Sequence, residues 1–484
     1  MATPIPGNAA PLTADSAAAI ARGSVVKRGR SGETRGITTD SRTVSPGCAF
    51  VALRGERFDG HDYLGAAMAA GASLLVVERG RAPAVATASV VEVDDTLVAW
   101  GDFARAHVRA WRGAGPPGEP RRVVAITGSA GKTTTKELCA ALLGAVAPVH
   151  ATRGNLNNRV GVPAVVLGIE ATHRFAVVEV GMSLRGEIAA LASILEPDVA
   201  VLTNVGLAHA GGVGGRRADV AREKGDLFAA LSSDAAAIAC FDDDEAVGQL
   251  RRTRAERRCT FGLGEGADIR LVERVHEGVA GARVRIRRRD GSSVAAWLPM
   301  LGEAAAVDLA GALAAAEAAT GLLREDAIEA GLRALTAFPA GRMQVRQLTD
   351  GTTILDDTYN ANPQSMRAAL RTLGEVAQGR RAVVVLGEMR ELGESAPQEH
   401  AALGASIVEA GARVAVSCGG LADLAVRAAE GAGVAASYAA DAEGASRTAL
   451  ALAKAGDVIL VKASRSVGAE RVVQVLCARG EGAR

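Results

Sequence analysis

Phosphate chemistry can be built from one short run of this chain. Ile126-Thr-Gly-Ser-Ala-Gly-Lys-Thr-Thr134 follows the β-branched stretch Val123-Val-Ala-Ile126 and precedes a helical pattern from Thr135 to Leu143. A glycine-lined turn entering a helix aims backbone N–H groups and the positive helix end at phosphate oxygens. Lys132 is then placed to reach the β- and γ-phosphates, and the Thr133 hydroxyl to bind Mg²⁺. The general phosphate-loop pattern has a glycine where this chain has Ile126, so the match is to a shortened form. A chance glycine-rich turn is the alternative, and the strand–loop–helix context favours phosphate binding.

Two further groups fall just beyond strand-like runs, where α/β sheets place their chemistry. Glu179 closes Phe175-Ala-Val-Val-Glu179, and His209 ends Val199-Ala-Val-Leu-Thr-Asn-Val-Gly-Leu-Ala-His209. A carboxylate and an imidazole could complete a Mg²⁺ shell around a triphosphate. Taken alone, Glu179 reads equally well as a helix-capping charge and His209 as a loop histidine. Lys224, in Ala221-Arg-Glu-Lys224, reads as a solvated helix lysine.

The elements that must position these groups follow from periodicity. Residues 1–112 mix short strands (49–53, 74–77, 90–93) with helices over 62–70 and 95–111. The run Gly113-Ala-Gly-Pro-Pro-Gly-Glu-Pro120 breaks both kinds of structure. Buried-strand runs at 123–126, 175–180, 199–203 and 235–240 alternate with helical stretches, which predicts a parallel sheet covered by helices. Arg283-Val-Arg-Ile-Arg-Arg-Arg289 and Val294-Ala-Ala-Trp-Leu298 flank Asp290-Gly291, a hairpin signature. Its alternating arginines read as a solvated strand face rather than a nucleic-acid patch. After a softer break at Phe338-Pro-Ala-Gly-Arg342, strands at 382–386, 414–418 and 458–462 predict a doubly wound sheet, with no GxGxxG to suggest a dinucleotide. The expectation is thus an α/β chain of three domains: 1–112, a central P-loop-type parallel-sheet ATPase domain at 121–338, and a Rossmann-like domain at 339–484.

Composition agrees with that reading. The chain has 484 residues, 49% hydrophobic and 23% charged, enough for several cores. Aromatics make up 3%, so Ala, Val and Leu must fill those cores. A net charge of +1 gives no general reason to expect nucleic acid or an anionic membrane. No signal peptide or bilayer-spanning run is evident. The isolated cysteines Cys48, Cys139, Cys240, Cys259, Cys418 and Cys477 suit reduced thiols in cytosol, without a zinc site. A cytoplasmic location and a monomer are the expectations.

With these residues in view, a resemblance enters. Thr127-Gly-Ser-Ala-Gly-Lys-Thr-Thr-Thr-Lys136 resembles the phosphate loop of the Mur ligase family. Gly154-Asn-Leu-Asn-Asn-Arg-Val-Gly-Val-Pro163 and Asp356-Asp-Thr-Tyr-Asn-Ala-Asn-Pro-Gln-Ser-Met366 resemble the branch that adds D-alanyl-D-alanine. Leu386-Gly-Glu-Met-Arg-Glu-Leu-Gly393, Val461-Lys-Ala-Ser-Arg465, Asp40-Ser-Arg-Thr-Val-Ser-Pro-Gly47 and Phe50-Val-Ala-Leu-Arg-Gly-Glu-Arg-Phe-Asp-Gly-His61 are similar to the same branch.

The resemblance implies an ATP-dependent ligase that converts a peptide carboxylate to an acyl phosphate, which an amine then attacks. Its substrates would be a UDP-N-acetylmuramoyl tripeptide and D-alanyl-D-alanine. By the same resemblance Gly128, Ser129, Ala130, Gly131, Lys132, Thr133 and Thr134 hold ATP, joined from the third domain by Arg342 and Asp357. Lys132, Glu179, His209 and Lys224 are catalytic. Thr133, Glu179, His209 and Lys224, the last as a carbamate, surround Mg²⁺. Ser41 and Arg42 lie toward uridine, Asn155, Asn157 and Asn158 toward the sugar peptide, and Tyr359, Asn360 and Asn362 toward the dipeptide. One departure stands out. The family's Gly-x-His-Asn-x-x-Asn stretch is here Gly302-Glu-Ala-Ala-Ala-Val-Asp308, with Asp308 in place of an Asn associated with adenine. The competing readings are another ligase of this superfamily and a P-loop regulatory ATPase with outer interaction modules.

Overall fold

Three sheets organise the chain in a computed structural model that describes residues 3–29, 33–55, 58–335 and 339–481. The break expected at Phe338 and the residues Glu56 and Arg57 of an N-terminal run lie outside the described residues.

The first sheet has five strands, in the order Ser24–Lys27, Ser89–Val93, Leu74–Glu78, Ala49–Val51, Ile37–Thr38, with only the first antiparallel to its neighbour. The helix expected over 62–70 is a 3₁₀ turn, Gly60–Tyr63, running into the short α-helix Leu64–Ala69. Asp59 causes this by capping the tight turn through the His61 N–H. The helix Thr96–Gly113 starts where the Asp95 carboxylate accepts the Leu97 and Val98 N–H groups. It buries Trp100, Phe103 and Val108 where it packs on the helices Gly161–Leu167 and Glu187–Leu195 that flank the second sheet, and the Trp100 indole N–H donates to the Val160 carbonyl at 2.9 Å. Area removed from water at ~25 cal/mol per Å² makes such aromatic burial the main contribution to this docking.

The second sheet has nine strands, ordered Ser293–Leu298, Ala282–Arg287, Ile269–His276, Arg257–Gly262, Ala236–Cys240, Val199–Leu202, Arg122–Thr127, Phe175–Glu179, Val149–Ala151. The strands from Ile269–His276 onward pair in parallel, and the hairpin at the other end is antiparallel. Along Ala282–Arg287, Arg283 and Arg285 face solvent while Val284 and Ile286 are buried. The strand Arg122–Thr127 lies between Phe175–Glu179 and Val199–Leu202, which the chain reaches on opposite sides. The carboxyl ends of these three strands open on the crevice where ligands bind in such sheets. The Ala-rich helix Glu303–Thr320 covers one face beside the helix Lys132–Gly144, its small side chains permitting a close approach.

The third sheet has six strands, ordered Gln344–Gln347, Thr353–Asp357, Val458–Lys462, Ala382–Leu386, Ala412–Cys418, Ala435–Ala439, all parallel except the first. Its two faces bury separate apolar clusters, one around Leu370, Leu373 and Leu403, the other around Val472, Leu476 and Ala449. That is the doubly wound arrangement anticipated. No helix among the described residues is long and apolar enough to cross a membrane.

Candidate active site

Residues Gly128 to Thr134 carry the chain from strand Arg122–Thr127 into helix Lys132–Gly144. The helix begins three residues before the expected Thr135, because Gly131 in the left-handed conformation (φ 80°) makes the entry turn. No side chain caps it, so its first N–H groups are open to an anion. The loop is fixed from behind. Ser129 N donates to the Asn204 carbonyl at 3.0 Å, and Ala130 N to Asn204 Oδ1 at 2.8 Å. The Thr203 hydroxyl donates to the Ala130 carbonyl at 2.6 Å. A Cβ on Gly128 would fall 1.8 Å from Thr203 Oγ1, so only glycine fits.

Lys224 is corrected by the structure. It is not a solvated helix lysine but 1% exposed, and its Nζ donates to the Gly128 carbonyl at 3.1 Å. Lys132 Nζ donates to the same oxygen at 2.8 Å. Burial, then the nearby Lys132 charge, hold the Lys224 amine well below the usual lysine range, with Glu223 and Glu179 opposing only in part. Lys132 is lowered too, by burial and by Arg342, against Glu179. Both shifts follow from removing ammonium groups from water.

Glu179, 2% exposed, is not a helix cap. One oxygen accepts the Thr133 hydroxyl at 2.6 Å and the other accepts Asn157 Nδ2 at 2.8 Å. Burial would raise its pKa, but the Lys132 and Arg342 charges and these two hydrogen bonds outweigh it, and the carboxylate stays ionised below its usual range. A hydroxyl and an ionised carboxylate beside a phosphate loop suit Mg²⁺, which takes few protein oxygens and completes its shell with phosphate and water.

The third sheet supplies the opposite wall. The Arg342 guanidinium lies over the Tyr359 ring at 4.0 Å, and Arg465 also lies over it at 5.0 Å. Among the described residues Arg342 Nε is buried without a hydrogen-bond partner. Asp357 pairs with Lys462 at 2.6 Å and accepts the Met343 N–H, and Lys462 donates to the Asn360 carbonyl at 2.8 Å. Asn362 caps the helix Pro363–Ala377 in a capping box with Ser365, while its Nδ2 donates to the Ser129 carbonyl of the phosphate loop at 3.2 Å. His209 (φ 61°) pairs through Nδ1 with Glu391 (φ 66°).

The structure brings Ser129 to Thr134, Asn155, Asn157, Asn158, Glu179, His209, Lys224, Arg342, Asp357, Tyr359, Asn360 and Asn362 around one cavity of about 970 Å³. Within it Asn155 is engaged by the Thr3 hydroxyl, and Asn158 Oδ1 accepts the Val160 and Gly161 N–H groups at the start of helix Gly161–Leu167. Ser41 and Arg42 are outside its lining, on a 3₁₀ turn where Arg42 pairs with Asp40. Sequence reasoning missed Asn204, Thr203, Lys462 and Glu391 as partners. Asn204 carried one signal, an amide directly after a buried strand, and Glu391 and Lys462 sit within two of the runs that carry the family resemblance.

Three family models match the chain: "Mur ligase family, catalytic domain" over residues 33–107, "Mur ligase middle domain" over 126–316, and "Mur ligase, glutamate ligase domain" over 341–465. Among curated proteins, the chain is 36% identical to the UDP-N-acetylmuramoyl-tripeptide–D-alanyl-D-alanine ligase of Escherichia coli K12, over 92% of this chain and 94% of that one. It is 35% identical to the Mycobacterium tuberculosis H37Rv ligase of the same name, over 91% and 92%. Among solved structures, MurF from Acinetobacter baumannii superposes with a TM-score of 0.85 at 31% identity, over 97% of this chain and 99% of that one. The MurF ligase of Thermotoga maritima in complex with ADP superposes at 0.77 with 28% identity, over 93% and 98%.

Proposed function

The chain belongs to the Mur ligase family, and from that premise we propose that it joins D-alanyl-D-alanine to the terminal carboxylate of a UDP-N-acetylmuramoyl tripeptide. It is an ATP-dependent, ADP-forming ligase of peptidoglycan precursor synthesis. The observation that carries this reading is the shared cavity: a phosphate loop, a buried cation–carboxylate cluster and the third sheet's arginine–tyrosine stack face one space.

A peptide carboxylate is a poor electrophile. Transfer of the γ-phosphate to it gives an acyl phosphate; the dipeptide amine then attacks the acyl carbon, and phosphate leaves. Approach of a carboxylate to a triphosphate pairs like charges, which Lys132 and Arg342 offset. Thr133 and Glu179 would hold Mg²⁺ beside the phosphate loop, where it would supply Lewis-acid polarisation of the transferred phosphoryl group. Lys224, kept toward its neutral form, is suited to take up CO₂ as an anionic carbamate, with His209 completing the cluster. Gly128 to Thr134, Arg342 and Asp357 bind the nucleotide. Asn155, Asn157 and Asn158 face the sugar peptide, Tyr359, Asn360 and Asn362 the dipeptide, and Ser41 and Arg42 the uridine end. Residues 1–112, 121–338 and 339–484 divide as UDP-sugar, ATP and ligase domains, acting as a cytoplasmic monomer.

The test is product identity. Purified protein with Mg-ATP, D-alanyl-D-alanine and tripeptides ending in lysine or diaminopimelate should yield the pentapeptide mass with at least one donor. No pentapeptide from either donor would overturn the proposal.

A further inference from the structure

Asp308 is a buried acid facing the phosphate loop, with no ion-pair partner among the described residues. It lies on helix Glu303–Thr320, 7% exposed, and its Oδ1 would be 2.4 Å from a Cβ placed on Gly131. It lines the same cavity as Lys132, Asp242 and Asp243. The charges on the packed elements are engaged elsewhere or of the wrong sign, except Arg371, and burial pushes the nearby Cys240 thiol up to about 12 and so keeps it neutral. From helix Lys132–Gly144, Lys132 is on the Gly128 carbonyl and Lys136 is on Glu137 and the Thr152 carbonyl. Behind strand Ala236–Cys240 stand Asp242 and Asp243, both acidic, and Arg217 pairs with the latter. On the neighbouring strands Arg257 and Arg258 bind backbone carbonyls, Arg270 pairs with Glu265, Arg274 with Glu375, and Arg122 with Asp198. From helix Pro363–Ala377, Arg367 pairs with Glu399, while Arg371 lines the cavity; on its own helix the nearby charge is Glu303.

An ionised carboxylate in that place would stand unpaired in low dielectric and repel the polyphosphate that the loop is shaped to hold. A neutral carboxylic acid instead presents one O–H donor and one carbonyl acceptor side by side, as an amide does. We propose that Asp308 works as a neutral acid that donates a hydrogen bond to the bound nucleotide, so that nucleotide affinity falls when Asp308 ionises. The proposal rests on the nucleotide reading of the loop. Burial, opposed only by the Thr135 hydroxyl, pushes the Asp308 carboxyl up to about 8, which puts the change in the mildly alkaline range.

The test is calorimetric titration with Mg-ADP at a series of pH values from about 7 to 9.5, on the intact wild type and on Asp308→Asn. The wild-type dissociation constant should rise above pH 8, toward about tenfold per pH unit, as expected when one proton is linked to binding. The Asp308→Asn amide keeps a donor and an acceptor but cannot ionise. Whatever its affinity near pH 7, that affinity should change little up to pH 9.5, beyond any common loss from Lys132 titration. Difference infrared spectra of wild type against Asp308→Asn near pH 7 should show a protonated carboxyl C=O band. A flat wild-type profile, an equal fall in Asp308→Asn, or absence of that band overturns the proposal. Failure of ADP to bind at any pH overturns the nucleotide reading as well.

Discussion

An amine buried beside a second amine is costly to charge, and Lys224 shares the Gly128 carbonyl with Lys132. With its pKa held down, Lys224 offers the neutral nitrogen that carbamate formation requires. Lys224→Ala should lose most ligase activity and recover part of it with added acetate or formate, small anions that can occupy the vacated oxygen positions. Lys224→Arg should be equally poor, since it keeps the charge and cannot form the carbamate. An active Lys224→Arg enzyme in the standard assay would sink the carbamate. Lys132→Ala should fold normally and lose a few kcal/mol of transition-state stabilisation, read from kcat/KM. At Asp308 the folded pKa, about 8, exceeds the ordinary aspartate value of 3.8, so between those values the folded state holds a proton that the unfolded state has released. Stability from this group is present in full below pH 4, declines as pH rises between those values, and is lost above about 8. Thermal melts should show Asp308→Asn more stable than wild type at pH 8, by on the order of a few kcal/mol, with the gap closing in acid. A gap independent of pH would contradict this.

At the scale of elements, the helix Pro363–Ala377 ties fold to site through one residue. Asn362 Oδ1 accepts the Ser365 N–H while Nδ2 reaches the Ser129 carbonyl. Asn362→Ser keeps a capping oxygen and removes the second contact, so it should melt near wild type yet lose activity. Asn362→Ala should lose activity and about 1 kcal/mol of stability besides. Equal melting of the two variants would show that the cap contributes nothing. Such dual use bears on how far the chain could be read without its fold. The parallel strands were legible because Val and Ile runs bounded by turns have one stable use, burial on both faces. The phosphate loop was legible because its glycines and its lysine are adjacent in sequence. Lys224 was not: its helix has a charged pattern, and what buries the amine is a carbonyl 96 residues away. Glu391 was hidden for the same reason, since its partner His209 comes from another sheet. Asp308 was visible as a departure, but its burial without an ion-pair partner emerged only when the neighbouring helices were packed around it.

Across the whole molecule, the first and second sheets are joined by the large apolar surface of helix Thr96–Gly113, and the third sheet by lighter contacts. These include the Asn362–Ser129 hydrogen bond, the Arg274–Glu375 pair and the His209–Glu391 pair, whose carboxylate is largely exposed. The His209–Glu391 pair, exposed on the glutamate side, contributes about 0–1 kcal/mol at most, as surface pairs do. The expectation is that the third region swings against the second to admit substrate, as inter-domain surfaces commonly allow. Solution scattering should show the radius of gyration fall when an ATP analogue and the UDP-peptide are both present, and an unchanged radius would count against hinged entry. The central claim, that one cavity couples ATP cleavage to amide formation, is tested most directly by continuous measurement of phosphate release with each substrate omitted in turn. Release should be rapid only when ATP, the UDP-muramoyl tripeptide and D-alanyl-D-alanine are all supplied, and should match pentapeptide formed mole for mole. Steady phosphate release from ATP alone, unchanged by either peptide, would contradict the account and identify a P-loop ATPase of another kind.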